Sequence, residues 1–206
     1  MKAMAGTAFV LTAVNASDAD QDVRVKAIRA MSAESTYQSS YFDNCALDGY
    51  SGNSRTFNVV VRELGSNGQH LLLDHPGQVY SATLPSDKCA QGEGNTPCGR
   101  ILWLIRSADT SKDGAIDGRD ALMAYASDLD ARQLVALSPP DASVLGTHWV
   151  VPTDKWQLQV RRDTNKDGVL SEEDGAELIE TSTRGSDIGT PFLQDSIRKA
   201  LNAAIQ

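Results

Sequence analysis

Trp156, Leu158 and Val160 alternate with Gln157, Gln159 and Arg161, the two-residue period of a strand with one dry face and one wet face. Residues 101–105, ILWLI, are continuously apolar, which predicts a strand covered on both faces. Between these two segments, LMAYASDL and QLVALS frame DAR as a hairpin, and SVLGTHWVVP leads through the polar turn TDK into the Trp156 strand. The stretch from 121 to 137 also carries helical spacing, with Leu122, Tyr125, Leu129 and Val135 on one face. Strand and helix are both open there. Upstream, AFVLTAVNA reads as a strand, and FNVVVREL, the turn GSNG and HLLLDHPG read as a further hairpin.

Two segments stand apart from this alternation. Residues 17–54 form a long insertion, in which 22–33 are predicted as a helix. At the other end Thr190 is placed to cap a helix with Pro191 at its first position, and Leu193, Ile197, Leu201 and Ala204 line one face. The expected organisation is a β domain over residues 1–186 and a helical tail over 187–206 that docks on the core as a lid.

Two acidic segments interrupt the strands, DTSKDGAIDGRD at 109–120 and DTNKDGVLSEED at 163–174. Aligning them also aligns their flanks: ILWLIRSA and WQLQVRR enter, ALMAYASDLD and AELIETST leave. With DADQD following AFVLTAVNA, the order strand, acidic insertion, hairpin occurs roughly three times. That order resembles the blades of TolB-like β-propellers, in which a DxDxDG loop joins neighbouring strands, over residues 7–16 and 56–182. The resemblance implies a mainly β fold of antiparallel, blade-like hairpin repeats. Closed propellers typically have four to eight blades, so the expectation is either a piece of a longer protein or a partial propeller or sandwich.

The two loops place oxygen-bearing groups at positions 1, 3, 5, 7, 9 and 12, the spacing that surrounds a calcium ion with six to eight oxygens. In the first loop these are Asp109, Ser111, Asp113, the Ala115 carbonyl, Asp117 and Asp120, with Gly114 at the sharp turn. In the second they are Asp163, Asn165, Asp167, the Val169 carbonyl, Ser171 and Asp174, with Gly168 at the turn. Both match the EF-hand consensus. Ile116 and Leu170 stand at position 8, where the EF-hand family has an apolar residue. The departure is at position 12, where aspartate replaces the usual glutamate and reaches about one methylene less far, as in dockerins. The shorter side chain admits magnesium as a competitor at either calcium site. The bland alternative is a pair of acidic surface turns, since Asp, Asn and Gly favour turns for their own reasons. Asp18, Asp20 and Asp22 repeat the DxDxD spacing but lack the glycine. The EF-hand resemblance, taken alone, implies a different fold, an α-helical EF-hand pair acting as a calcium sensor or buffer. Against it, Arg162 precedes the second loop, and the loops begin 54 residues apart.

Composition sharpens this picture. The chain carries 19 basic and 27 acidic residues, a formal charge of -8. The two loops hold nine of those acids and three bases, so six of the eight net charges lie in them. This favours a cation and disfavours nucleic acid, which requires a basic stripe. No apolar run is long enough to span a membrane. The first residues combine a lysine, a mildly apolar run and V-N-A, resembling a signal peptide, but Gly6, Thr7 and Thr12 dilute the run and suit a strand. Cys89 and Cys98 flank AQGEGNTP, and a bridge between them would place the protein in an oxidising compartment, periplasmic or extracellular. Two reduced thiols are the other reading, and Cys45 is left over. There is no G-x-S-x-G and no H-E-x-x-H, and His70, His75 and His148 lack evident partners. Trp103, Trp149 and Trp156 fit core positions better than a sugar platform. The expected protein is non-enzymatic, stabilised by calcium between its strands, with another protein or a second copy covering open sheet edges.

Overall fold

The computed structural model describes residues 8–17, 20–31, 45–46, 54–64, 68–84, 100–150, 153–167 and 170–204. The expectations for Cys89, Cys98, Asp18, Gly168 and Val169 lie outside the described residues. The strands are β1 (Ala8–Ser17), β2 (Asp20–Met31), β3 (Cys45–Ala46), β4 (Ser54–Leu64), β5 (Gln69–Leu71), β6 (Gln78–Thr83), β7 (Arg100–Arg106), β8 (Met123–Asp128), β9 (Val135–Ala136), β10 (Ala142–Val150), β11 (Lys155–Arg162), β12 (Glu177–Ser182) and β13 (Thr190–Pro191). One helix, α1, spans Asp195–Ala204.

These strands build three antiparallel sheets, ordered β2-β1-β4-β5, β3-β6-β7-β8-β9 and β10-β11-β12-β13. The fold is mainly β, with hairpin-connected sheets and a C-terminal helix, and no barrel closes among the described residues. The α-helical EF-hand pair is thereby corrected: strands enter and leave both acidic loops. Their apolar residues alternate or run continuously rather than recurring every third or fourth position, so a strand buries them and a helix would not.

The middle sheet is packed on both faces. Ile101, Trp103 and Ile105 of β7 join Val59 and Val61 of β4 and Val79 of β6 in one core. Leu102, one residue away and on the opposite face, joins Ala124, Ala126, Val144, Leu158, Val160 and Ile179 in a second. The continuous run in β7 therefore has the double burial its sequence predicts. On the far face of the third sheet, Gln157 donates to Glu180 at 2.8 Å and Lys155 pairs with it at 3.0 Å. The Gln157 and Lys155 partners hold the Glu180 carboxyl below its ordinary range. That polar face ends the stack toward water.

β6-β7-β8-β9 and β10-β11-β12-β13 are meanders with the acidic loop at the same place, after their second strand. The upstream unit differs, because β4 returns to pair with β1 and leaves β2 on the outside. The predicted helix at 22–33 is corrected as well. Asp20–Met31 is strand, since Val23, Val25 and Ala27 alternate with Arg24 and Lys26 at the strand period.

The C-terminal helix begins later than its capping signals predict. Thr190 and Pro191 pair with Glu180 and Ile179 as a short edge strand, a place where proline's missing donor does no harm. Phe192 N–H then bonds to the Leu178 carbonyl at 2.8 Å. The tail is not a docked lid: Leu193, Ile197 and Leu201 are exposed, and Arg198 reaches Glu177 at 3.6 Å.

Candidate metal centre

Each acidic loop closes a hairpin between neighbouring strands, β7 with β8 and β11 with β12. The first residue of each folds the chain back over itself. Asp109 accepts the N–H of Asp113 at 3.2 Å and that of Gly114 at 2.8 Å. Asp163 accepts the N–H of Asp167 at 3.2 Å. To make this turn, Lys112 and Lys166, both at position 4, adopt left-handed φ angles of 61° and 62°, and Gly114 follows at 90°. Glycine enters that region without penalty, whereas the two lysines are held there by the loop around them.

The last residue ties the loop shut. Asp120 accepts from Thr110 N at 2.7 Å and Ser111 N at 2.9 Å through Oδ1, and from Asp117 N at 2.7 Å through Oδ2. Asp174 does the same with Thr164 N at 2.9 Å, Asn165 N at 3.4 Å and Ser171 N at 2.9 Å. Positions 2, 3 and 9 thus converge on position 12 in both loops. Both carboxylates are buried at 4% and 8% exposure, which demands such partners. Burial alone raises the Asp120 carboxyl, but the N–H groups of Ser111, Asp117 and Thr110 outweigh it and hold it below the usual aspartate range. At Asp174 the N–H of Ser171, with those of Thr164 and Asn165, likewise prevails over burial. Oδ2 of each carboxylate accepts a single N–H group and has two lone pairs, so these bonds do not by themselves remove Asp120 or Asp174 from a ligand set.

Between these anchors lie the remaining candidate ligands. Ser111 Oγ donates to Asp109 at 3.3 Å, and Ala115 N–H donates to Asp113 at 3.0 Å. In the second loop Asn165 Oδ1 accepts from Asp167 N and its Nδ2 donates to Asp167, both at 3.0 Å. Ser171 caps a single 3-10 turn, Glu172–Asp174, by accepting Glu173 N–H at 3.2 Å. Among the described residues, no three carboxylate, imidazole or thiolate groups converge closely enough to hold a metal ion between them. In the first loop Asp113 and Asp117 turn instead to Arg119. The guanidinium reaches Asp117 from Nε at 3.3 Å and from Nη2 at 3.0 Å, and Nη2 also pairs with Asp113. The side chain of Asp117, with the charges of Asp113 and Asp117, strengthens its hold on its proton.

Two further positions that hold the loops escape the ligand pattern. Threonine stands at position 2 in both loops: Thr110 Oγ1 donates to Asp120 at 3.3 Å and accepts Ala121 N–H at 2.7 Å, while Thr164 Oγ1 donates to Asp174 at 3.3 Å. Its recurrence in sequence is the signal. Arg119 is the other, and its counterpart is Glu173.

The acidic connections share one end of the stacked sheets. Leu122, just past the first loop, bonds to Ser143 Oγ at 3.0 Å and to Val144 N–H at 2.7 Å. Ser143 and Ala142 lie opposite Arg161 and Arg162, which enter the second loop. The end of β1 and the start of β2 lie at this end too. Ser17 pairs with Ser54 at the start of β4, the end toward which β5 runs. The chain continues past β5 to Gly77, where an added Cβ would meet the Arg106 carbonyl at 3.1 Å.

Comparison with known protein families, with curated proteins and with solved structures returned no match for this chain. No helix among the described residues is long and apolar enough to cross a membrane.

Proposed function

We propose that this is a non-enzymatic, exported calcium-binding protein in which two metal ions fix the loops joining neighbouring strands of a β binding or structural module. The observation that carries this reading is the shared frame of the loops: the same positions close the same turn at the same place in two successive sheets. The donors are hard oxygens from Asp109, Ser111, Asp113, Ala115, Asp117 and Asp120, and from Asp163, Asn165, Asp167, Val169, Ser171 and Asp174. Neither set includes nitrogen or sulfur, a chemistry that fits calcium and disfavours zinc. Magnesium is the competitor, disadvantaged by its demand for strict octahedral geometry. Strands on both sides favour a stabilising role over a switch, because a sensor of the EF-hand kind works by opening a helix pair.

Export to the periplasm or the extracellular space belongs to the same reading. The edges of β2 and β10, the outermost strands of their sheets, are where another protein or a second copy would add a strand. Calorimetric calcium titration of wild type and of Asp109→Ala with Asp163→Ala tests the proposal. Wild type should bind two ions and the double variant neither. No heat of binding from wild type at millimolar calcium would reject it.

A further inference from the structure

We infer that Arg119 is a built-in counter-cation that sets the calcium affinity of the first loop. This rests on the calcium reading above. Its guanidinium contacts the carboxylates at positions 5 and 9, Asp113 and Asp117, both of which the ligand pattern assigns to the metal. A calcium ion ligated by them must therefore take them from the arginine. The planar fork of arginine suits it to hold two carboxylates at once, and its charge persists at any physiological pH.

The exchange is mechanically simple. The Arg119 side chain is 67% exposed, so rotation about its own bonds carries it into water without moving β7 or β8. The anchors of the loop stay in place, since Asp109 and Asp120 are held by backbone N–H groups that Arg119 does not touch. Four aspartates crowd the first loop, and an internal cation relieves their mutual repulsion when no metal does. Position 11 of the second loop is Glu173, of opposite charge. The two loops, alike in backbone, thus differ in the charge that stands beside the metal.

The test uses the full chain with Asp163→Ala and Asp167→Ala, which leaves the first loop as the calcium site. Calcium chloride is titrated calorimetrically into the EGTA-dialysed protein carrying Arg119, Arg119→Gln or Arg119→Lys. Circular dichroism verifies that each retains its strands. Glutamine should tighten binding about tenfold, with lysine between, because it holds charge without the fork. Melts add a second readout: Arg119→Gln should melt lower than its parent in EGTA and no lower in calcium. Equal affinities for arginine and glutamine would overturn the inference and leave the calcium reading intact. No binding by any of the three, nor by wild type, would overturn both.

Discussion

Asp120 Oδ1 accepts the backbone N–H of Thr110 at 2.7 Å, so the last residue of the first acidic loop is fastened to its second. The same carboxylate takes two more N–H groups, so its removal takes an acceptor from all three. Asp120→Ala is expected to destabilise the protein by about 1.5–3 kcal/mol. Its midpoint in EGTA should fall by roughly 5 °C. Asp109→Ala also opens loop bonds, two from backbone N–H groups and a longer one from Ser111 Oγ, but at an exposed site, and should lower that midpoint less. Thermal melts of the two variants in chelator separate a closing role from a ligand role, since a pure ligand at position 12 would leave the metal-free midpoint unchanged.

Acid should release both fastenings. The Asp120 and Asp174 carboxyls lie below their ordinary value in the folded protein. Their contribution is therefore complete above the unfolded aspartate pKa of about 4 and is lost as pH falls through the lowered folded values. Melts in EGTA between pH 7 and pH 2 should show wild type converging on Asp120→Ala only below that ordinary value. Convergence already at pH 6 would contradict the assignment.

Neighbouring residues of β7 serve different interfaces, Ile101 against the first sheet and Leu102 against the third. Ile101→Ala and Leu102→Ala should each cost about 2–5 kcal/mol. Urea unfolding checks this, and a negligible effect at either position would mean that the corresponding face is not packed.

Trp103 is wholly buried and donates its indole N–H to Ser127 Oγ at 2.8 Å, which in turn donates to the Asp128 carbonyl at 2.8 Å. Ser127→Ala leaves the indole without that partner and should cost about 1–3 kcal/mol. Equilibrium unfolding followed by tryptophan fluorescence measures it.

The legible parts of the sequence were those in which one period or spacing had one physical solution. Five apolar residues from Ile101 to Ile105 can be buried only on two faces, and Trp156, Leu158 and Val160 only on one. Asp22 to Ala33 was ambiguous because its apolar residues, Val23, Val25, Ala27, Ile28 and Ala30, satisfy a helical stripe as well as a strand. Thr190 and Pro191 carry both a helix-start signal and an edge-strand signal, and pairing with β12 decided between them. In the loops, the ligand spacing was readable from side-chain type. The loop-closing role of Asp120 and Asp174 was not, because it depends on backbone N–H groups that every residue has. The grip of Arg119 was hidden for a related reason: a long side chain can reach several carboxylates, and only the folded loop selects two of them.

Gathering the acidic connections at one end of the sheet stack has a long-range electrical consequence. When no metal is bound, six of eight net negative charges sit in two loops on that end, which concentrates the molecule's negative charge there. In dilute salt, where the screening length exceeds about 10 Å, it should approach a positively charged surface with the loops foremost. Physiological ionic strength shortens that reach to about 8 Å, and the orientation then acts only near contact.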